Sequence, residues 1–584
     1  MNMQTLVGIP ASSGIAIGQA YCFLNTEIQV HRYIITDPLS ETNRLLLALA
    51  RAREQLVQIR EQAKAQVGED EAAIFEAQIL FLEDSILLDT TTNDIASSYI
   101  NTEAAWSDTI DALAKKFDVM TDELFRARAA DIRDVGKRVL RELLGQNNNS
   151  LDLIKPSIIV ACDLAPSDTV RLDKKLVLAF CTAEGGPTSH TAILAKAMGL
   201  PAVVGLGSAL LDIKTGDPLT VDGERGQVIV HPDESTCKAL SKRKKEIDQQ
   251  IKVDMRMSES PAQTVDGHRV EVVANVGSLD DAVSTLDNGG EGIGLLRTEF
   301  LYLDSQNAPT EENQLEIYQA MLDAMGNRPV VVRTLDAGGD KNLPFLELSH
   351  EANPFLGWRA IRICLDKPDL FKTQLRALLR ASPGHNLRIM FPMIATLDEL
   401  RRAKTFISEA RNEVLATGQA VAEEIQIGIM VEIPSVVVLA EHFAREVDFF
   451  SIGTNDLTQY TFAAERTNDK VAHLGDACHP AILRQIGRVI QVGHDAGIWV
   501  GVCGELAGDP DAIPILLGLG LDEFSIAPPS IPKVKAIIRR LSMTDSRTLA
   551  IDALNLESAD DVRQLVHTGV PRVSNHDSTH KITS

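Results

Sequence analysis

A serine stands beside a histidine in EGGPTSHTAILAKAMGLPAVVG, residues 184–205, and three chemistries fit such a pair. A serine nucleophile with His190 as its base calls for G-x-S-x-G, but no glycine lies two residues after Ser189. A helix cap accounts for Thr188 or Ser189 ahead of TAILAKAMG and for Gly199 at its end, but not for the histidine. The third makes His190 the acceptor of a phosphoryl group. Neutral imidazole is a competent nucleophile at neutral pH. The first turn of a helix offers unpaired N–H groups and the positive end of the dipole to a phosphate. Thr188, Ser189 and Thr191 add hydroxyl donors.

A second set of reactive residues lies at the ends of short apolar runs beyond residue 265: Asn275, Arg297 with Glu299, Arg333 with Asp336, Glu432, Asn455 with Asp456, and Cys503 with Glu505. DAGGDK adds Gly338, Gly339 and Lys341, NPFLGWRAIR adds Arg359, and AAERTND adds Arg466. A salt bridge closing a rim explains any one of them; the combination is more specific. Glu432 and Asp456 are hard oxygen ligands, and Mg²⁺ takes one or two carboxylates and completes its shell with water and substrate oxygens. Arg297, Arg333 and Arg466 offer planar forks for phosphate or carboxylate. A divalent metal with several arginines is the equipment of phosphoryl transfer. The set reads as a site for a small phosphorylated carboxylic acid. Cys503 is either a buried filler or a proton donor or acceptor, since a free thiol titrates near about pH 8.5.

Distant residues reach one rim only if the runs are strands of one sheet. The runs are VEVVANVG (270–277), GIGLLRTEF (292–300), VVVRTLD (330–336), RIMFPMI (388–394), IGIMVEIP (427–434), FFSIGTND (449–456), WVGVCGEL (499–506) and EFSIA (523–527). Apolar strands alternating with helical segments imply a parallel sheet covered on both faces. Eight such units over residues 265–572 predict a closed (β/α)8 TIM-type barrel, with its chemistry at the C-terminal strand ends.

His190 belongs to a different unit. Residues 1–30 and 146–232, with strand-like PSIIVACDL, KLVLAFCT, LPAVVGLG, DPLTVDG and GQVIVHP, read as an α/β domain. Residues 31–145 interrupt it with helical spacing at 39–67, 71–84, 103–117 and 121–144, ended by Gly145. Residues 233–264, centred on SKRKKEIDQQIK, read as a solvated connecting helix and hinge, because acidic residues are interleaved with the basic ones. The polar tail 573–584 is predicted to be disordered.

A chain of 584 residues is too long for one core. Its formal charge of −24 argues against nucleic acid or anionic lipid as partners and for a basic protein. No apolar run reaches the length that spans a bilayer, and the N-terminus lacks the pattern of a signal peptide. The Cys residues at 22, 162, 181, 237, 364, 478 and 503 include no CxxC pair, which is cytosolic usage rather than a disulfide framework or zinc site.

Taken together, GG-x-TSHTAI, RAADIRDVGKR, GIGLLRTEFL, RT-x-D-x-GGDK, NPFLGWRAIRI, IMVE-x-P, SIGTNDLTQY and CGELAGD resemble enzyme I of the bacterial phosphoenolpyruvate-dependent phosphotransferase system, over nearly the whole chain. The resemblance implies that His190 takes the phosphoryl group of phosphoenolpyruvate on Nε2. It implies Glu432 and Asp456 as Mg²⁺ ligands, and Arg297, Arg333, Lys341, Arg359, Asn455 and Arg466 as holders of the phosphate and carboxylate. Cys503 would protonate the enolate to give pyruvate. The helical insertion would dock the histidine phosphocarrier protein HPr, which receives the phosphoryl group in the first step of sugar uptake. The family is a cytoplasmic homodimer through its barrel. Loading His190 at the barrel and presenting it to a carrier require two poses, so a hinge within 232–265 is expected.

Pyruvate phosphate dikinase and phosphoenolpyruvate synthase share the histidine domain and the barrel, but add an ATP-binding domain for which this chain has no room. Three positions depart from the family: Pro187 and Lys196 stand where arginines are usual, and Gln78 where related sequences often have His. They leave a paralogue serving a regulatory or nitrogen-related carrier as one alternative. A phosphoenolpyruvate sensor without catalysis is another, disfavoured because His190, Glu432, Asp456 and the arginines are all present.

Overall fold

The computed structural model describes residues 3–569 apart from 24–29, 67–74, 76, 77, 83, 119–122, 146–152, 154, 165–171, 173, 174, 187, 188, 304–306, 339–342, 344, 347–350, 467 and 469; at 62–66, 85, 118, 123–130, 190, 193 and 197 it describes the backbone alone. The polar tail therefore lies outside the described residues. The chain divides into two compact units at Asp248 and Gln249.

The first unit carries a sheet of β1 (Gln4–Val7), β2 (Ile9–Ser12), β3 (Ile15–Phe23), β4 (Ser157–Ala161), β5 (Val177–Thr182), β6 (Ala202–Val204), β7 (Pro218–Asp222) and β8 (Gln227–Val230), in the order β1-β8-β7-β3-β4-β5-β6-β2. β3, β4, β5 and β6 are parallel, and antiparallel strands flank them. β4 reads SIIVA and is buried throughout; Ile158 and Val160 enter one core while Ile159 and Ala161 enter another. That is how a strand covered on both faces must read.

Parallel neighbours need a crossover. Between β3 and β4 the crossover contains a helical block: α1 (Pro38–Gln66), α2 (Ser85–Ser98), α3 (Thr102–Asp118) and α4 (Glu123–Leu144). α1 buries Leu45, Ala48, Leu49, Ala52, Leu56 and Ile59, the three-and-four spacing of one helical face. Trp106 of α3 donates from Nε1 to the Gly136 carbonyl of α4 (3.0 Å). α2 is a helix the apolar spacing did not mark. Asp84 caps it, accepting from the Ile86 N–H at 2.8 Å, and Ile95 and Thr91 are fully buried.

α5 (His190–Met198) follows β5 and packs Ala192, Leu194 and Ala195 into the core that Ile159 and Phe180 enter. α6 (Glu234–Arg256) carries the chain out of the first unit and into the second.

All eight predicted runs are strands of the second unit: β10 (Arg269–Val276), β11 (Ile293–Leu296), β12 (Val330–Arg333), β13 (Leu387–Phe391), β14 (Gln426–Val431), β15 (Phe449–Ile452), β16 (Trp499–Val502) and β17 (Glu523–Ile526). Each pairs in parallel with the next, and β10 pairs with both β11 and β17, which closes the barrel. The short β9 (Ala262–Gln263), not anticipated, adds to β10 antiparallel. Leu295, Val331, Met390, Met430, Phe449 and Cys503 pack together as an apolar cluster from strands and strand ends. No helix among the described residues is long and apolar enough to cross a membrane.

Candidate active site

His190 is the first residue of α5. Ser189 caps that helix in extended backbone, its Oγ accepting from the Ala192 N–H at 3.4 Å. Gly199 ends it at φ +66°, where its N–H donates to the Ala195 and Lys196 carbonyls. The cap proposed for Ser189 is therefore present, and the position of His190 is an anion-accepting one. Thr191 is fully buried. Lys196 lies exposed in the last turn, and Pro187 and Thr188 lie outside the described residues.

The barrel residues come from the C-terminal ends of their strands. Arg333 ends β12, Glu432 follows β14, Asp456 lies in the first turn of the helix Thr454–Phe462 that follows β15, and Cys503 follows β16. Glu299, Arg333, Asp336, Arg359, Glu432 and Asp456 are all less than a tenth exposed. Arg333 donates to Glu299 Oε1 at 2.8 Å and lies 3.2 Å from Asp336 Oδ2. Arg359 donates through Nε and Nη2 to the two oxygens of Asp336 (2.9 and 3.1 Å) and through Nη1 and Nη2 to those of Asp456 (3.1 and 3.2 Å). Nη1 also donates to the Tyr460 hydroxyl at 3.3 Å, and that hydroxyl donates to the Phe355 carbonyl at 2.6 Å. Glu432 Oε1 accepts the Met393 N–H at 2.6 Å.

Three loop residues here adopt backbone that side chains disfavour: Ala360 at φ +53°, Met393 at +57° and Ala463 at +50°. Each costs about 1–3 kcal/mol. Ala360 follows Arg359, and Met393 supplies the N–H that Glu432 accepts, so two of the three fix a site group. Gly338 sits at φ +99°, where a Cβ would lie 2.7 Å from the Trp358 carbonyl; glycine lets its loop close on the segment carrying Arg359.

The charges fix the character of the cluster. Among the described residues, four carboxylates (Glu299, Asp336, Glu432, Asp456) face two guanidiniums (Arg333, Arg359), a formal excess of two negative charges if all ionise. Burial, then Asp456 and Asp336, push the Glu432 carboxyl up to about 8, against Arg359 and Arg333. Burial works against the charge on Arg359, but Asp336 and Asp456 outweigh it and hold its pKa above the ordinary range. A buried pair of hard oxygen donors with this excess suits a divalent cation that takes its remaining ligands from water and substrate. Burial pushes the Cys503 thiol up to about 11, so it is protonated at neutral pH.

The remaining expected residues are placed more loosely. Arg297 and Arg466 are exposed. The Asn455 side chain exchanges hydrogen bonds with Glu505, donating to Oε1 at 3.3 Å and accepting its N–H at 3.1 Å. Lys341 lies outside the described residues. Asn275 donates to the Cys503 and Ser525 carbonyls at 3.0 and 3.1 Å, which ties β10 to its neighbours. Tyr460 and Met393 escaped the reading of the sequence. Tyr460 had a signal, four residues after Asp456 on one helix face; Met393 had none, because it acts through its backbone.

Fold and rim together define a class, the PEP-utilising enzymes, where PEP is phosphoenolpyruvate. Residues 252–543 match the family described as "PEP-utilising enzyme, PEP-binding domain", 7–128 its "N-terminal" part and 153–226 its "mobile domain". The chain is 48% identical over 560 residues to the phosphoenolpyruvate-protein phosphotransferase of Priestia megaterium, covering 96% of this chain and 98% of that one. It is 47% identical over 564 residues to that of Geobacillus stearothermophilus and 46% over 561 to that of Bacillus subtilis (strain 168), with the same coverage. The chain belongs to the phosphoenolpyruvate-protein phosphotransferase family.

Proposed function

We propose that this protein transfers the phosphoryl group of phosphoenolpyruvate to its own His190 and from there to a histidine phosphocarrier protein of the HPr type. The observation that carries the reading is the pairing in one chain of a histidine at a capped helix N-terminus with a buried arginine–carboxylate cluster on a barrel rim. In the first half-reaction the lone pair of Nε2 attacks phosphorus and the bond from phosphorus to the enol oxygen breaks. The leaving enolate takes a proton on carbon from the Cys503 thiol to become pyruvate, and solvent returns the proton to sulfur. Arg297, Arg333, Arg359, Lys341, Asn455 and Arg466 orient the phosphate and carboxylate. Glu432 and Asp456 would hold Mg²⁺, which when bound neutralises charge on the phosphoryl oxygens.

The helical block 31–145 is the docking surface we assign to the carrier, and the whole-chain charge of −24 favours a basic one. We place the protein in the cytoplasm, acting as a homodimer through its barrel, at the first step of sugar uptake. All seven cysteines are free, which suits a reducing compartment. A second reading, transfer to a regulatory or nitrogen-related carrier, is favoured by Gln78, which stands in the block where related sequences often have His.

The test is to incubate the protein with labelled phosphoenolpyruvate and Mg²⁺ and follow acid-labile, base-stable label. Wild type should label and His190→Ala should not; equal labelling would sink the reading. Candidate carriers added afterwards should remove the label selectively, which identifies the partner.

A further inference from the structure

Arg359 gives one guanidinium to two carboxylates, and the two differ in what else is asked of them. Asp336 already pairs with Arg333. Asp456 is one of the two residues assigned to the metal, yet both its oxygens accept hydrogen bonds from Arg359. A cation bound directly to Asp456 would sit at about 2.0–2.1 Å from a carboxylate oxygen, beside a buried guanidinium that shares its charge sign. In a site this dry such a juxtaposition is strongly repulsive. Glu432, the other assigned ligand, has no such competitor among the described residues, where Oε1 accepts a backbone N–H from Met393.

We infer that Arg359 and the divalent cation compete for Asp456, so that metal binding requires Arg359 to swing off Asp456 while Asp336 retains it. The inference rests on the proposed metal ligands. The geometry permits the exchange, because Nε and Nη2 reach Asp336 without help from Asp456. It frees one hydrogen of Nη1, whose other still meets the Tyr460 hydroxyl, and one hydrogen of Nη2, two donors of the kind a phosphate accepts. Arg359 thus acts toward the metal as a positioning residue of opposite sense: it lowers affinity for the free cation and hands its donors to the substrate when the cation arrives. Arg333 does not share the role, since among the described residues its carboxylate partners are Glu299 and Asp336.

The test titrates Mn²⁺ into the full-length protein without substrate and reads free Mn²⁺ by electron paramagnetic resonance. Arg359→Gln should bind Mn²⁺ tighter than wild type, within the about 5- to 150-fold range of coupled sites. Arg359→Lys keeps one charge in the buried site, guards against loss of fold (checked by thermal melting), and should also tighten binding, by less. Arg333→Gln removes an equal charge from the same cluster and should change affinity by under half as much. The inference is overturned if neither Arg359 variant tightens Mn²⁺ binding, or if Arg333→Gln tightens it equally. Asp456→Asn reports on the underlying assignment: weakened Mn²⁺ binding supports it, and unchanged binding removes the metal reading itself, and the inference with it.

Discussion

Glu523 begins β17 opposite Glu271 of β10, at the end of the barrel away from Cys503, and is 2% exposed with Oε1 unpartnered among the described residues. Burial, then Glu271 and Asp522, push its carboxyl from 4.5 up to about 8, against Arg388. Between those values the folded chain holds a proton that the unfolded chain has lost. The stability contributed by that proton is full at the acidic end and lost as pH rises toward about 8, at no more than about 1.4 kcal/mol per pH unit. Glu523→Gln should therefore gain on wild type by about 1–3 kcal/mol between pH 6 and pH 8 in urea melts of the barrel. An equal difference at the two pH values would rule this out. Nothing in EFSIA announces such a group, since a glutamate at a strand start reads as solvated. Arg333, Glu432 and Asp456 stood out in the sequence because charge at the end of an apolar run is anomalous, Cys503 stood beside them, and Arg359 was legible in its own motif. Their pairing was not: that Arg359 would bridge Asp336 and Asp456 depends on loop backbone at Ala360, which spacing does not encode.

The helix Ala559–Gly569 is held on the barrel by buried Val562 and Val566, by His567, 3.6 Å from Asp511, and by a set of ion pairs made by Arg563. Arg563 donates to Asp509 at 2.9 Å and to Asp511 at 3.3 Å, both just beyond the turn that follows Cys503, and to Asp476 at 3.2 Å, in the segment after Arg466. A helix outside the barrel thus braces two loops that carry assigned site residues. Arg563→Gln should cost about 1–3 kcal/mol, seen as a lower barrel melting temperature, and should raise KM for phosphoenolpyruvate more than it lowers kcat. A variant with unchanged KM would show that the tie serves the helix alone. The strands of the barrel were readable because their apolar runs are nearly continuous. α2 was missed because SILLDTTTNDIASS carries three consecutive threonines with poor helix propensity, and burial of Thr91 and Ile95 overrides that local preference.

The division at Asp248 and Gln249 falls inside α6 rather than in a loop. Before it, Arg243 pairs with Asp222 and, at 2.7 Å, with Glu224. After it, Arg540 lies 3.6 Å from Asp254, Lys535 donates to the Ser258 carbonyl at 3.0 Å, and Arg539 donates to the Ser260 carbonyl. Residues 248–253 between these ties are all exposed, Ile251 and Val253 included. A helical stretch without tertiary packing is marginal in water, and we locate the expected hinge there. Hydrogen exchange should be faster at amides 248–253 than in either flank of α6. A cross-link fixing the two units should slow at least one half-reaction; both running at normal rate would refute the hinge. The linker was readable as charged and helical, but its weak point required knowing which ends are held.

The helical block stands where an ordinary α/β sheet has a simple crossover between β3 and β4, and here those strands pair in parallel across it, Ala20 opposite Ile158 through Phe23 opposite Ala161. Its insertion point is therefore a natural seam for exchange. If the block docks the carrier as proposed, a lineage can trade it for another and change which protein is addressed without disturbing the sheet that supports His190. An engineer can replace it with a plain crossover of about a dozen residues; on the proposed roles, that chain would accept a phosphoryl group and have nowhere to deliver it.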